Sequence, residues 1–310
     1  MFSRNAFVKV TAWGLGQRGA FYVPGSLRSL GTVTSSKRQQ LMSKLSQPSS
    51  AKLVGGALYG DTLPIDTKEE IMDRTYCKVA DRYDFVLEMM SFGVNQYWKK
   101  KFVRLMSPTA GLKMIDVAGG TGQIARNYLE YQDLVNNDTL SSVHVVDLNE
   151  QMIRVGRHRL ASSQWMKDDR ITFAQGSAEN LVNIADNSFD IYSISAGMHN
   201  IPHPELALSE AYRVLKPGGL FACLEYGHVD TPIVKQFHRW HMRTLAPAIG
   251  HLLVGKRESY ERLVCSALSF PHQRDFAQAI SRAGFRLPPG KGHQLMHCGY
   301  MVAYFGTKPE

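Results

Sequence analysis

The chain lacks the features that mark several large classes of protein. No apolar stretch free of charge reaches the roughly 18 residues that a membrane-spanning helix requires, so the sequence predicts no such helix. The four cysteines are scattered along the 310 residues and form no C-x-x-C pair. Scattered cysteines are typical of reduced thiols, and neither a disulfide framework nor a zinc site is indicated. We therefore predict no metal ligands.

Acidic side chains are absent from residues 1–60, which contain eight Lys and Arg residues. All 27 Asp and Glu residues lie in 61–310 together with 28 Lys and Arg residues, so the formal net charge of +9 comes mostly from the first 60 residues. A nucleic-acid-binding protein would spread such charge over its folded surface, so we predict no nucleic-acid partner. An acid-poor segment rich in Ser, Gly and Arg is typical of a mitochondrial transit peptide. We predict one over residues 1–60, with a basic tail of no targeting role as the alternative, and one folded domain over 61–310.

Short apolar runs alternate with helical patterns from residue 113 onward. The predicted strands are Lys113–Val117, Ser142–Val146, Ile171–Gln175, Phe189–Ser195 and Leu220–Glu225, with one or two closing strands in Gln294–Phe305. The predicted helices are residues 67–105, Gln123–Tyr131, Glu150–Leu160, Glu205–Leu215 and Phe276–Ala283. This alternation indicates an α/β fold with a parallel sheet between helices, whose ligands bind at the carboxyl ends of the strands.

A glycine loop follows the first predicted strand. Gly120-x-Gly122-x-x-Ala125 fits the dinucleotide fingerprint, and Gly119 precedes it. Asp116 ends the strand four residues before Gly120, where its carboxylate would repel a pyrophosphate. The same carboxylate would attract the sulfonium and ammonium groups of S-adenosylmethionine. The loop therefore favours S-adenosylmethionine over a nicotinamide dinucleotide.

Residues after the second and third strands complete the predicted cofactor site. Asp147 ends the second strand, where a carboxylate can accept both ribose hydroxyls, although a helix-capping acid is the alternative. Ser177 and Ala178 follow the third strand, where an adenine edge would lie. Met152 is placed to lie against the adenine face or, equally, to fill the core.

Several motifs follow one another in a characteristic order. They are Met90-Ser91-Phe92-Gly93, Ala118-Gly119-Gly120-Thr121-Gly122, Asp147-x-Asn149-x-x-Met152, Ser195-x-Gly197-x-x-Asn200, Arg213-Val214-Leu215-Lys216-Pro217-Gly218-Gly219 and Ser259-Tyr260-x-x-Leu263. The set resembles the ubiquinone/menaquinone biosynthesis C-methyltransferases over roughly residues 70–300. The glycine loop and the V-L-K-P-G-G segment occur in many methyltransferases, whereas the first, fourth and last motifs are much more specific.

The resemblance implies the class I S-adenosylmethionine-dependent methyltransferase fold, which is Rossmann-like with a seven-stranded, mostly parallel sheet whose last strand is antiparallel. It implies cofactor contacts at Thr121, Asp147, Ser177, Ala178 and Ser195. The implied reaction is C-methylation of a polyprenylated benzoquinol in ubiquinone biosynthesis. The implied location is the matrix side of the mitochondrial inner membrane, as a peripheral protein in a complex with other ubiquinone-biosynthesis enzymes. A homodimer is a further assembly to be considered.

The chain departs from the family where catalysis is expected. The family commonly has S-F-G-x-R-N where this chain has Ala196 and His199 in place of Phe and Arg. His199 follows the fourth strand, so we predict it as general base or phenolate partner. The alternative is a His packed against the next helix. Glu225 and Tyr83 are weaker catalytic candidates, since the first can be a buried structural acid and the second a core residue.

Residues 228–260 interrupt the alternation and are predicted to form an inserted helical lid. On one interpretation, Trp240 and the apolar side chains of 249–254 line either a channel for the polyprenyl tail or a path to the membrane surface, and Lys235, Arg239 and Arg243 face lipid head groups. On the other, the segment is a cap with a solvated basic face. Three other functions compete with quinol methylation: methylation of another small molecule or a protein, a cofactor-binding scaffold of a quinone-synthesis complex, and a nicotinamide dehydrogenase.

Overall fold

The computed structural model describes residues 80–310 except 255, 256 and 291. The predicted transit peptide over residues 1–60 and the first part of the predicted helix over 67–105 lie outside the described residues. The strands are β1 (Lys113–Val117), β2 (Ser142–Asp147), β3 (Ile171–Gln175), β4 (Phe189–Ser195), β5 (Leu215–Tyr226), β6 (His293–Met296) and β7 (Met301–Thr307). The helices are α1 (Tyr83–Met90), α2 (Asn95–Met106), α3 (Gln123–Val135), α4 (Glu150–Leu160), α5 (Gln164–Lys167), α6 (Pro204–Val214), α7 (Pro232–Trp240), α8 (Ala246–Val254), α9 (Arg257–Leu268) and α10 (Gln273–Arg282).

The strands form one seven-stranded sheet in the order β3-β2-β1-β4-β5-β7-β6. Strands β1 to β5 pair in parallel, and β7 pairs antiparallel with both β5 and β6. The predicted fold, a mostly parallel seven-stranded sheet whose last strand is antiparallel, is confirmed. The direction of winding reverses between β1 and β4, and open α/β sheets bind ligands at such a reversal.

Strand β5 begins earlier than the sequence predicts. The segment Lys216-Pro217-Gly218-Gly219 reads as a helix terminator, and helix α6 does end at Val214. However, Leu215 already pairs with Phe189 of β4, and the next pair joins Leu220 to Ile191. The four residues 216–219 therefore form an irregular bulge within the strand, where proline and glycine are tolerated.

The sheet separates two apolar layers, and β1 shows how its residues are divided between them. Met114 packs into the layer under α2, α3 and α4, whereas Ile115 and Val117 pack into the layer under α6 and α10. Side chains of a strand alternate between faces, so Asp116 lies on the face of Met114. Its side chain is fully buried at the carboxyl end of β1.

Helices α7 to α9 lie in and beyond the segment predicted as a lid. A π-helical turn, His241–Leu245, joins α7 to α8, and Pro247 follows it. Because proline has no N–H to donate to the carbonyl of residue 243, a local widening of the helix is expected there. Met242, Ala246 and Val264 pack against α1 in a separate apolar cluster. No helix within the described part of the chain is long and apolar enough to cross a membrane.

Candidate active site

A large cavity opens at the carboxyl ends of β1 and β4, where the winding of the sheet reverses. It encloses about 1310 Å³ of empty space, its open mouth included. Most of the residues predicted from the sequence line it, namely Tyr83, Asp116, Gly119, Gly120, Thr121, Asp147, Met152, Ser177, Ala178 and Ser195. The structure thus brings together residues that are spread over more than a hundred positions of the sequence. We call this space the polar cavity.

Asp116 is the most unusual group in the polar cavity. Neither of its carboxylate oxygens has a hydrogen-bond partner among the described residues, although the side chain has no exposed surface. Burial raises the pKa of the Asp116 carboxyl to about 7, and that rise is opposed by the Lys99 charge and by the nearby Ser193 hydroxyl, which lies outside hydrogen-bond geometry. A buried carboxylate without a partner is costly. We therefore expect a cationic ligand group to lie against it.

The glycine loop brings backbone close to the carboxylates. A Cβ atom at Gly119 would lie 2.7 Å from a methyl carbon of Val145 and 2.9 Å from Oδ2 of Asp116, so only glycine fits. The N–H of Gly120 donates to Oδ2 of Asp147 over 2.8 Å. Gly122 was predicted as a cofactor contact, but it does not line the cavity. Its φ of +77° and its closeness to the Phe173 ring show that it shapes the loop instead.

Asp147 and Met152 are fixed by the start of helix α4. The N–H of Asn149 donates to Oδ1 of Asp147 over 2.8 Å, and the Asn149 side chain caps α4 by accepting from the N–H of Met152 over 2.9 Å. Met152 is buried and packs against Ala80 and Val155, yet it also lines the cavity. Both sequence interpretations of Met152 therefore agree with its position.

Sequence reasoning missed Lys99, which is buried on helix α2 and lines the polar cavity. Its ammonium donates to the side-chain oxygen of Gln123. Burial lowers the pKa of Lys99, and the neighbouring carboxylates, Asp84 and Asp116 above all, oppose this change. The signal was present, because Lys99 shares a helical face with Trp98, Phe102 and Met106 rather than with its neighbour Lys100.

Asp84 was also missed, and it ties helix α1 to the glycine loop. Its Oδ2 accepts from the hydroxyl of Thr121 over 2.6 Å and forms an ion pair with Arg159 of α4. Helix α1 thereby covers one side of the polar cavity, with Tyr83 in the wall.

A second cavity of about 660 Å³ adjoins the first. Both are lined by Tyr83, Leu87, Asn95, Trp98, Ala196 and Tyr226. The rest of its wall comes mainly from apolar side chains of the helices outside the sheet, including Met90, Met242, Ala246, Val264 and Ala267. We call it the apolar cavity. It is suited to an apolar molecule whose reacting end reaches toward the polar cavity.

His199 lies in the wall of the apolar cavity, paired with Glu225. Its Nδ1 is 2.8 Å from Oε2 of Glu225, and both side chains are almost completely buried. Its Nε2 has no hydrogen-bond partner among the described residues. The Tyr226 ring packs edge-on against the imidazole at a centroid distance of 5.5 Å. His199 therefore presents an unused ring nitrogen beside a space for an apolar ligand.

Glu225 was predicted as a weaker catalytic candidate, yet it lines neither cavity. Besides the His199 ring, its carboxylate accepts from the N–H of His199 over 3.3 Å and from that of Tyr226 over 3.2 Å. With no exposed surface, it cannot touch a bound ligand directly. It is a positioning residue for His199.

Two residues expected to line a lipid channel lie elsewhere. Trp240 is 52% exposed and Leu252 is 84% exposed, and neither lines the polar or the apolar cavity. The expected channel wall is therefore wrong for these two residues, because α7 and α8 turn their side chains outward, whereas a path to the membrane surface stays a prediction.

The polar cavity fits S-adenosylmethionine on structural grounds. The partnerless Asp116 carboxylate suits an ammonium group, and Lys99 supplies a cation for the carboxylate of the methionine part. Glycine at position 119 lets the loop lie directly against Asp116 and Val145, where a Cβ atom would collide. The hydroxyl oxygen of Ser195 is likewise buried without a partner among the described residues.

Comparisons with known proteins identify the family. The ubiE/COQ5 methyltransferase family matches residues 65–308. The 2-methoxy-6-polyprenyl-1,4-benzoquinol methylase, mitochondrial, of Oryza sativa subsp. japonica is 37% identical over 273 residues, which are 84% of this chain and 92% of that protein. The ubiquinone/menaquinone biosynthesis C-methyltransferase UbiE of Brucella canis is 41% identical over 221 residues, 70% of this chain and 79% of that protein.

A solved structure supports the fold. The putative S-adenosyl-L-methionine-dependent methyltransferase of Methanococcus maripaludis superposes with a TM-score of 0.52 at 18% identity and covers 76% of this chain and 94% of its own. At 18% identity, this similarity supports the shared fold and nothing more. The family match over most of the chain goes further, and so this chain belongs to the ubiE/COQ5 methyltransferase family.

Proposed function

We propose that this methyltransferase transfers a methyl group from S-adenosylmethionine to a ring carbon of 2-methoxy-6-polyprenyl-1,4-benzoquinol, a step of ubiquinone biosynthesis. One observation carries the proposal: a polar cavity with a partnerless buried carboxylate adjoins an apolar cavity whose wall holds an unused imidazole nitrogen. The acceptor is taken from the rice relative, which carries that name.

The residues of the polar cavity divide the cofactor between them. Asp116 binds the ammonium group and Lys99 the carboxylate of the methionine part. Asp147 accepts the ribose hydroxyls, while Ser177 and Ala178 lie along the adenine edge. Bound S-adenosylmethionine supplies an electrophilic methyl group on a cationic sulfur.

His199 prepares the acceptor for attack. A benzoquinol ring carbon is a good nucleophile only when a neighbouring hydroxyl has lost its proton. A carboxylate on Nδ1 holds a proton there, so the Nε2 lone pair is the one that accepts the substrate's proton. Glu225 then stabilises the imidazolium that forms. Tyr83 lines both cavities and contacts the acceptor ring between them.

The proton transfer alone is unfavourable. A phenol has a pKa near 10 and an imidazole near 6.5, so the step is uphill by about 4.8 kcal/mol in water. Glu225 holds the imidazole in position for the transfer, and the apolar wall excludes the water that would compete for the proton. The remaining stabilisation comes from positioning, because the acceptor is held against the methyl donor.

The cellular setting follows from the relatives and the tail. The relatives named as mitochondrial support a mitochondrial location. Residues 1–60 act as the transit peptide, and residues 61–310 form one methyltransferase domain with the lid at about 228–260. The mature protein works peripherally on the matrix side of the inner membrane, together with other ubiquinone-biosynthesis enzymes, and a homodimer is compatible with this arrangement.

The test is methyl transfer in solution. The purified chain is incubated with methyl-labelled S-adenosylmethionine and 2-methoxy-6-prenyl-1,4-benzoquinol, and the labelled position is read by NMR. We expect the label on a ring carbon. His199→Gln should lower kcat by 10²–10⁴-fold, the usual contribution of a general base, and leave cofactor affinity within twofold. Label on oxygen, or tight cofactor binding without any transfer, would contradict the proposal; the second outcome would favour a scaffold.

A further inference from the structure

An exposed apolar patch covers the outer side of helix α7. Ile233, Phe237 and Trp240 recur at helical spacing and are 83%, 52% and 52% exposed. Phe92, 61% exposed, extends the patch from the α1–α2 corner. Its ring lies 5.1 Å from the His241 ring, which in turn lies 6.3 Å from the Phe237 ring. Large exposed apolar side chains that meet in this way mark an interaction surface.

A basic stripe runs beside the patch. Lys235, Arg239 and Arg243 are spaced four residues apart, and all three are exposed. Residues 232–254 contain no Asp or Glu. Within the described part of the chain, no carboxylate pairs with any of the three cations. An apolar stripe with unpaired cations alongside it is the pattern of a helix that lies in a membrane interface.

A third cavity, of about 540 Å³, lies at the basic stripe. All three cations line it, together with His228 and His238. His238 is 4% exposed, and its Nε2 has no hydrogen-bond partner among the described residues. Burial lowers the pKa of His238 to about 4, so the ring is neutral near pH 7. The cavity therefore offers three cations and a buried polar nitrogen to an anionic group.

His241 connects this surface to the active site. Its ring contacts Phe92 and Phe237 of the patch, and the same residue lines the apolar cavity that holds His199. Its Nε2 is 2.9 Å from the carbonyl oxygen of Met90, which fixes the π-helical turn after α7 to the end of α1. The patch is thus separated from the apolar cavity by the thickness of one side chain.

We propose that the exposed apolar patch and the basic stripe dock this enzyme on a bilayer containing anionic phospholipids, with a lipid phosphate in the third cavity. The inference rests on the proposed function, since a polyprenylated acceptor is dissolved in a bilayer. Charge complementarity selects the lipid over a second copy of the chain. Two copies meeting face to face would bring their unpaired cations together, which is unfavourable.

The test is flotation of the full chain with vesicles of phosphatidylcholine alone or with added phosphatidylglycerol. The charge variant is Lys235→Gln/Arg239→Gln/Arg243→Gln, and the apolar variant is Phe237→Ser/Trp240→Ser. Matched controls change the same number of exposed residues elsewhere: Arg104→Gln/Lys167→Gln/Arg282→Gln, and Leu134→Ser/Leu140→Ser. Because all variants keep the basic residues of 1–60, differences between a variant and its control report on the lid.

We expect binding to the anionic vesicles to weaken about a hundredfold in the charge variant and at least tenfold in the apolar variant, and to stay within twofold in both controls. Equal losses in variant and control, or no loss in either variant, would overturn the proposal. So would a change from dimer to monomer in the apolar variant with unchanged vesicle binding, since the face would then join two copies.

A second measurement separates this proposal from the proposed function. Without vesicles, both variants should methylate the short-chain acceptor at the wild-type rate, because none of the substituted residues lines the polar or the apolar cavity. If wild type floats with anionic vesicles but methylates no quinol, the docking surface stands and the assigned reaction fails. If the quinol is methylated and neither variant loses vesicle binding, the assigned reaction stands and the docking surface fails.

Discussion

The polar and apolar cavities share a wall but are built in opposite ways. The polar cavity is formed mostly by loops that directly follow β1, β2, β3 and β4. The apolar cavity depends on helix α1 and on the consecutive helices α8 and α9, which are far from α1 in sequence and meet it only in the folded chain. A cofactor common to many enzymes is thus held by local motifs of the sheet, whereas the acceptor's space depends on the helices added to it.

The buried titratable groups of the two cavities also differ, because one has a partner within the protein and the other has none. The Asp116 carboxylate has no hydrogen-bond partner among the described residues, so a cationic group of a ligand is needed to pair with it. His199 already has Glu225, so it is prepared before the acceptor binds. Binding is therefore the task of the first group and proton transfer that of the second, and substitutions should separate the two.

Asp116→Asn should have the largest effect on the polar cavity alone. Loss of a buried charged partner costs about 2–5 kcal/mol of binding, so we expect the dissociation constant of S-adenosylmethionine to rise by about 30- to 5,000-fold in calorimetry. The ligand-free variant should also melt at a higher temperature, because it no longer buries an unpaired carboxylate. The control is Asp169→Asn on the surface. If both variants bind the cofactor equally, Asp116 has no role in recognition.

Met242→Trp should affect only the apolar cavity. Met242 is buried in its wall, and the larger ring would fill part of the space. We expect kcat/KM for the quinol to fall at least tenfold, with cofactor affinity within twofold of wild type. Met242→Leu, of nearly equal volume, should leave both values almost unchanged. Equal losses in acceptor and cofactor binding would mean that the cavities cannot be treated separately.

The smallest expected effect is a pH dependence of cofactor binding. The pKa of Asp116 is about 7 in the ligand-free protein, raised from 3.8 by burial. Below pH 7 the carboxyl gains a proton and no longer attracts an ammonium group. The dissociation constant should therefore be constant above pH 7 and rise by up to about tenfold for each unit below it. Asp116→Asn should remove this dependence; a slope that survives the substitution would assign it to another group.

A rise in pH should strengthen cofactor binding through Asp116 but lower the stability of the ligand-free chain. Its folded pKa lies above the unfolded value, so the folded state binds the proton more tightly between pH 3.8 and about 7. The free energy of unfolding contributed by this group therefore falls as the pH rises through that window. Thermal melts at pH 5 and pH 8 test this: from pH 5 to pH 8, the melting temperature of the wild type should fall relative to that of Asp116→Asn.

The sequence was most informative where function depends on neighbours in the chain. The strand ends and the glycine loop could be predicted, as could Asp116, because a carboxylate beside such a loop has a direct electrostatic meaning. The sequence also named His199 and Glu225, but not their contact, which requires β4 and β5 to pair side by side. The role of Gly122 in shaping the loop against Phe173 could not be predicted, because only the fold brings the two residues together.

Errors concentrated in the helices outside the sheet. Apolar periodicity indicates that a helix has a buried face, but it does not say which partner covers the other faces. Trp240 was therefore expected in a channel and is instead turned outward. Lys99 was overlooked because it lies in a run of three lysines, although its helical spacing from Phe102 and Met106 already distinguished it from Lys100.

The wall common to both cavities has a thermodynamic consequence. Six residues line both spaces, among them Tyr83, Trp98 and Tyr226. A ligand that orders these side chains from one side changes the free energy of binding on the other. Such coupling is reciprocal: whatever factor the methyl donor adds to the affinity for the quinol, the quinol adds to the affinity for the donor. Once the methyl group has been transferred, a loss of affinity for one product should therefore lower the affinity for the other.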